Sequence, residues 1–223
     1  MISEINDPFE IDKFCNFTNS TLSQISICPE QFRPILLLAL LDTLSKAAHP
    51  EIRDSNRERF ITLIDEFSGW AYGNHVSVVQ LSFLLKDESD LKSLVSDSIS
   101  KYVPGSILRP EDADKPIEEL SKHCCEAELP LLERARYVSL LWTMRNSLAH
   151  SLKSPGNATR LSKYNSTPYY HYDLGTSSWE LHIDAQVLVD LVKAVISNLS
   201  DHFEKNGINP YESFSWSSNW FEF

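Results

Sequence analysis

At 223 residues the chain has the length of one domain with elaborations, enough to bury a sizeable core without disulfide staples. Its formal net charge of −11, from 31 Asp and Glu against 20 Lys and Arg, excludes a broad phosphate-gripping surface, because affinity for nucleic acid rests largely on cations that neutralise phosphates. The longest apolar run, Ile35 to Leu41, is too short to cross a bilayer, and the acidic start MISEINDPFEIDKF has no secretory pattern. The four cysteines contain no CxxC pair. The expectation is a reduced, cytoplasmic protein that does not span a membrane.

Residues 1–28 read as an irregular lead-in. From Pro29 the pattern turns helical, with Phe32, Ile35, Leu36, Leu40 and Leu44 at three- and four-residue spacing until His49-Pro50. Ser55 and Glu58 stand at capping-box spacing before a stripe of Phe60, Ile61, Ile64 and Phe67, bracketed at its end by Gly69 and Gly73. A third helical region covers about 77–102 with a break near Asp87–Ser89, and Pro104–Pro116 reads as a loop. A short helix over 117–126 precedes the longest one, which Pro130 opens and which runs to about Leu152. Tyr137, Leu141, Met144, Leu148 and Leu152 form its core stripe.

Residues 168–183 alternate in period two around Gly175 (Tyr169-Tyr170-His171-Tyr172, then Trp179-Glu180-Leu181-His182-Ile183), which predicts a small β-hairpin. Asp184 caps the last long helix, with a face of Leu188, Leu191, Val192, Val195, Leu199 and Phe203. The aromatic tail, 207–223, is too apolar to float free and is expected to pack on the domain or cover a partner surface. The sum is an all-α chain: one domain, 1–223, built as a helical bundle with a small β-hairpin inserted before the last helix.

Within the long helix stands Arg145-Asn146-Ser147-Leu148-Ala149-His150. With nine Arg and seven His in the chain, an Arg–His pair at this spacing with Asn next to the arginine arises by chance in about 0.02 of such chains. The residue types suit RNA cleavage through the 2′-hydroxyl. Histidine exchanges protons near neutral pH, and arginine offers phosphate oxygens a permanently charged planar fork. Five steps of about 100° nevertheless put Arg145 and His150 about 140° apart, whereas Asn146 and His150 share a face. Either the helix distorts near His150, or two copies of the motif meet across a symmetric contact.

The motif and its place late in a long helix resemble the HEPN superfamily, whose ribonucleases carry an R-x4-6-H signature. That resemblance is strongest over 130–152. It implies a bundle of HEPN type, a homodimer whose motifs form one composite cleft, RNA as substrate and chemistry that needs no metal or cofactor. Carried over, Arg145 holds the scissile phosphate, His150 serves proton transfer or the leaving group, and Asn146 orients the histidine or the phosphate. Cleavage would leave a 2′,3′-cyclic phosphate, and a toxin or defence role would bring a neutralising protein partner.

Val138, Trp142 and Ala149, beside Arg145, are the expected dimer seam. Arg134 and Arg136 on the same helix, and Arg57 and Arg59 near Ser55, are candidate phosphate contacts; against the latter pair stands a solvated first turn with local ion pairs. His123-Cys124-Cys125 has no second ligand pair at zinc spacing and reads as buried cysteines at a helix end. His171 and His182 read as a cross-strand surface pair. No phosphate-binding glycine loop or hydrolase triad is present. The competing reading is a catalytically silent HEPN-like module that binds a protein partner or a nucleotide.

Overall fold

The computed structural model describes residues 8–86, 89, 91–103, 105–153, 155 and 166–212, and it is predominantly helical with small antiparallel sheets. In chain order the elements begin with α1 (Pro8–Ile27), α2 (Arg33–Ala48), α3 (Asn56–Phe67), β1 (His75–Val76), α4 (Val78–Leu84) and α5 (Leu91–Ile99). There follow β2 (Ile107–Leu108), α6 (Pro110–Ala113), β3 (Lys115–Pro116), α7 (Ile117–Leu120) and α8 (Leu129–Ala135). The chain continues through α9 (Tyr137–Ser151), β4 (Tyr169–Asp173), β5 (Ser178–His182) and α10 (Ala185–Asn206). The chain divides into two compact units, one of Met1–Ser68 with Leu191–Phe223 and one of Gly69–Asp190. Among the described residues no helix is long and apolar enough to cross a membrane.

In the first unit, α1 packs on α2 and α2 on α3. The edge of Phe14 meets Phe203 at 5.8 Å and Tyr211 at 5.7 Å, which fastens α1 to α10 and to the start of the C-terminal tail. Asn198 donates from Nδ2 to the Phe67 carbonyl at 2.8 Å, closing the end of α3. Ser55 caps α3 as its spacing predicts, accepting the Glu58 N–H at 3.1 Å. The predicted face of α10 is buried throughout, and Gly207 ends that helix at φ +61°.

Two expectations fail in this unit. Most of the supposed lead-in, 1–28, is helix α1, whose buried residues Ile11, Phe14, Thr18, Leu22 and Ile25 keep strict helical spacing. Thr18 interrupts the apolar stripe and hides it from a hydropathy reading. It sits in the core because its hydroxyl bonds back to the Phe14 and Cys15 carbonyls, each at 3.0 Å. In α2 the buried leucines are Leu37, Leu38, Leu40, Leu41 and Leu44, so Leu40 and Leu44 of the predicted stripe are in the core, while Phe32 and Leu36 stay exposed at 48% and 37%. In a leucine-rich helix several stripes satisfy the same spacing, and packing selects among them.

The second unit holds the sheets. The predicted hairpin forms as β4 and β5, with Tyr169 opposite His182 and Tyr172 opposite Trp179. It gains a third strand, β2, from the segment expected to be loop, with Leu108 opposite Tyr170. Tyr137 and Tyr170 are fully buried among Val76, Val79, Leu81 and Leu91.

The long helix expected from Pro130 to Leu152 is two helices, broken at Arg136, where ψ turns to 143°. The backbone released there pairs with the β1 region. Ser77 donates to the Ala135 carbonyl at 2.9 Å, Val138 donates to the Gly73 carbonyl at 3.3 Å, and Val76 bridges Arg136. The break costs helical hydrogen bonds but leaves the groups paired to another strand of the unit. The tail residues from Ser213 on, with Phe214, Trp216, Trp220, Phe221 and Phe223, lie outside the described residues.

Candidate functional site

Helix α9 carries the motif. Tyr137, Val138, Ser139, Leu141, Met144 and Leu148 are its buried residues, and Trp142, Arg145 and Asn146 are half-buried. Ala149 and His150 are exposed. The helix closes just beyond His150: Leu152 takes a left-handed conformation at φ 54° and donates to the Leu148 carbonyl at 3.1 Å, while Ser147 Oγ donates to the Lys153 carbonyl at 2.6 Å. Leu152, expected in the core stripe, is therefore past the helix end and 72% exposed.

Because α9 runs unbroken to Ser151, it does not distort to bring its arginine and histidine together. Arg145 and His150 stay about 140° apart around the axis. What the helix assembles is a cluster of Trp142, Arg145 and Asn146. The guanidinium carbon of Arg145 stands 5.1 Å from the centroid of the Trp142 ring, and its Nη1 donates to Asn146 Oδ1 at 3.0 Å. His150 lies one turn beyond Asn146 on the same face. In sequence the stretch is basic despite the acidic chain: residues 129–153 hold Arg134, Arg136, Arg145 and Lys153 against the single carboxylate Glu133.

The other predicted site residues divide by burial. Arg134 is exposed on α8 and Arg57 is exposed on α3, in the other unit. Arg59 is buried, with Nη1 donating to the Ile52 carbonyl at 3.0 Å and Nη2 to Asn56 Oδ1 at 2.6 Å. It staples the turn before α3 to the helix and does not face a substrate. Arg136 is likewise buried at the α8–α9 break, with Nη1 3.0 Å from Glu133. Val138 is fully buried inside the chain, which leaves Trp142 and Ala149 for a dimer seam.

His171 and His182 are not opposite one another. The register pairs His171 with Glu180 and His182 with Tyr169, so the imidazoles are diagonal neighbours with centroids 6.3 Å apart. His182 is buried, its ring stacked on Tyr169 at 4.9 Å. The expected burial of adjacent cysteines is also corrected: Cys124 is half-buried and Cys125 exposed. Among the described residues no three His, Cys, Asp or Glu side chains form a group able to hold a metal ion.

A second polar constellation, absent from the sequence reading, sits at the opposite end of α9. Asp114 is buried, accepting the Val78 N–H at Oδ1 (2.8 Å) and the Tyr137 hydroxyl at Oδ2 (2.7 Å). Burial pushes its carboxyl up to about 7, against the two hydrogen bonds, which favour the ionised form. Burial likewise raises the Tyr137 and Tyr170 hydroxyls, and Tyr170 shares a 2.7 Å hydrogen bond with Ser77 Oγ. A perturbed carboxyl often marks an active site, but these groups are sealed from solvent and pair mainly with one another and with backbone. They lock α4, α9 and β4 together. Partners 23 and 93 positions apart leave no local sequence signal.

No protein-family model, curated protein or solved structure matches the chain.

Proposed function

We propose that the chain is a HEPN-type, metal-independent endoribonuclease that works as a cytoplasmic homodimer. The observation that carries the reading is Arg145-Asn146-x3-His150 at the accessible end of a regular α9, with Arg145 and Asn146 hydrogen-bonded and His150 exposed. On one straight helix the arginine and histidine diverge. A two-fold contact between α9 helices offers one copy's His150 to the other copy's Arg145, as isologous interfaces do. In that cleft the arginine fork neutralises the phosphate, whose charge grows in the transition state. His150 transfers the proton between the 2′-hydroxyl and the leaving oxygen, with Asn146 orienting the arginine. Exposed Arg134 and Lys153 and half-buried Arg145 support RNA approach on a chain whose net charge opposes it.

The test is cleavage of a labelled RNA panel by purified protein in excess chelator, beside Arg145→Ala and His150→Ala prepared identically. Cleavage by the unmodified protein alone, leaving 2′,3′-cyclic phosphate ends, is the expected result. Equal cleavage by all three would overturn the assignment of these residues. Growth arrest on expression, relieved by His150→Ala, is the expected cellular counterpart if the chain is a toxin or defence effector, and its neutralising partner would be encoded nearby. The net charge of −11 favours one other reading, a silent module of the same fold that binds a protein or nucleotide. It predicts no cleavage of any RNA.

A further inference from the structure

Trp142 lies one helical turn before Arg145, and its ring meets the guanidinium of its own chain. The guanidinium carbon to ring-centroid distance of 5.1 Å is within cation–π range, and the Nη1 to Asn146 Oδ1 hydrogen bond is 3.0 Å. The cation–π contact holds the guanidinium near the indole, and the bond to Asn146 fixes one of its nitrogens. An arginine side chain ordinarily loses much rotamer freedom when it engages a phosphate, and a fork already held in one orientation loses less.

We propose that Trp142 is a positioning residue: its indole face, together with Asn146, presets the Arg145 fork for a phosphodiester oxygen. This rests on the ribonuclease reading for its catalytic consequence, but the presetting itself is a property of the free chain. The sequence pattern gives Trp142 only the role of seam, packing against a second copy. The geometry gives it a partner within its own helix, and the two roles make different predictions.

The first arm of the test is independent of activity. In side-chain NMR of the full chain, the Arg145 δ-proton and Nε–Hε signals are expected to shift by the indole ring current, as seen against Trp142→Ala, with Trp142→Phe preserving part of the shift. Titrated with inorganic phosphate, the Arg145 signal of the unmodified chain should respond at roughly 2- to 10-fold lower concentration than in Trp142→Ala, the fold equivalent of the ordering cost of one rotamer-rich side chain. Indistinguishable Arg145 signals, or equal phosphate responses, overturn the proposal even if RNA is cleaved.

The second arm compares RNA cleavage. Trp142→Ala is expected to lower kcat/KM by roughly 2- to 10-fold, and Trp142→Phe to recover most of it. Sedimentation on the same samples should show the dimer retained. Activity that falls only in step with dimer dissociation overturns the positioning role and leaves Trp142 as seam alone. Failure of the ribonuclease reading shows separately, as no cleavage by any variant, while the NMR shifts and phosphate responses still support or overturn the presetting of Arg145.

Discussion

The two ends of α9 use polar side chains in opposite ways. At its start, the Tyr137 hydroxyl is buried and donates to an equally buried Asp114. At its end, Arg145 and Asn146 are half-buried, paired to each other, and His150 faces solvent. The first arrangement is closed: removing one member strands another in a low-dielectric interior. The second is open, and losing one member changes what the surface can do rather than whether the chain folds.

The largest expected effect is on the open end. His150→Ala and Arg145→Ala should each lower RNA cleavage by about 10²- to 10⁴-fold, equivalent to about 3–5 kcal/mol of barrier, with unfolding free energy unchanged within about 0.5 kcal/mol for His150→Ala and lowered by about 0.5–2 kcal/mol for Arg145→Ala. Cleavage rates measured beside urea midpoints check both halves. A loss of activity that tracks a loss of stability would erase the distinction between the two ends.

Next comes the pH dependence of the closed end. The folded-state Asp114 carboxyl is held up to about 7, above its unfolded value, so between about pH 4 and 7 the folded chain keeps a proton the unfolded chain has released. Its contribution is therefore complete below about pH 4, declines as pH rises toward 7, and is flat above. The decline has an upper bound of about 4 kcal/mol at roughly 1.36 kcal/mol per unit. Urea titrations from pH 4 to 8 should show this slope reduced in Asp114→Asn; the same slope in both proteins would remove Asp114 as its source.

Tyr137→Phe, which deletes one hydroxyl and leaves Asp114 Oδ2 without that donor, should cost about 1–3 kcal/mol, a fall of roughly 2–10 °C in Tm. RNA cleavage at a temperature where the variant is folded should be unaltered. The smallest effect belongs to Arg57→Ala, expected within about 0.5 kcal/mol of the parent in stability and unchanged in cleavage. Arg59→Ala, close by on the same helix but buried against the Ile52 carbonyl, should be the destabilising member of that pair. Equal thermal midpoints for the two would contradict the different roles their burial implies.

Part of this was legible without coordinates. The Ser55 cap, the buried stripe of α10 and the 168–183 hairpin follow from residues a turn or a strand pair apart, where capping, amphipathicity and alternation act locally. The spacing of Arg145, Asn146 and His150 was equally visible, with the angular divergence that a regular helix imposes. The break at Arg136 was not, because it depends on Gly73 and Ser77 offering partners to backbone some sixty positions later. Nor was α1, whose stripe runs through a threonine that only its back-bonded hydroxyl makes fit for a core. The sequence by itself determined a mostly helical chain, one hairpin and one candidate catalytic string. Tertiary structure decided which arginines are fixed inside and which face of α2 is buried. The physical reason is range: helix and hairpin signals are carried by near neighbours, whereas burial and hydrogen-bond partnership depend on residues that only the folded chain brings together.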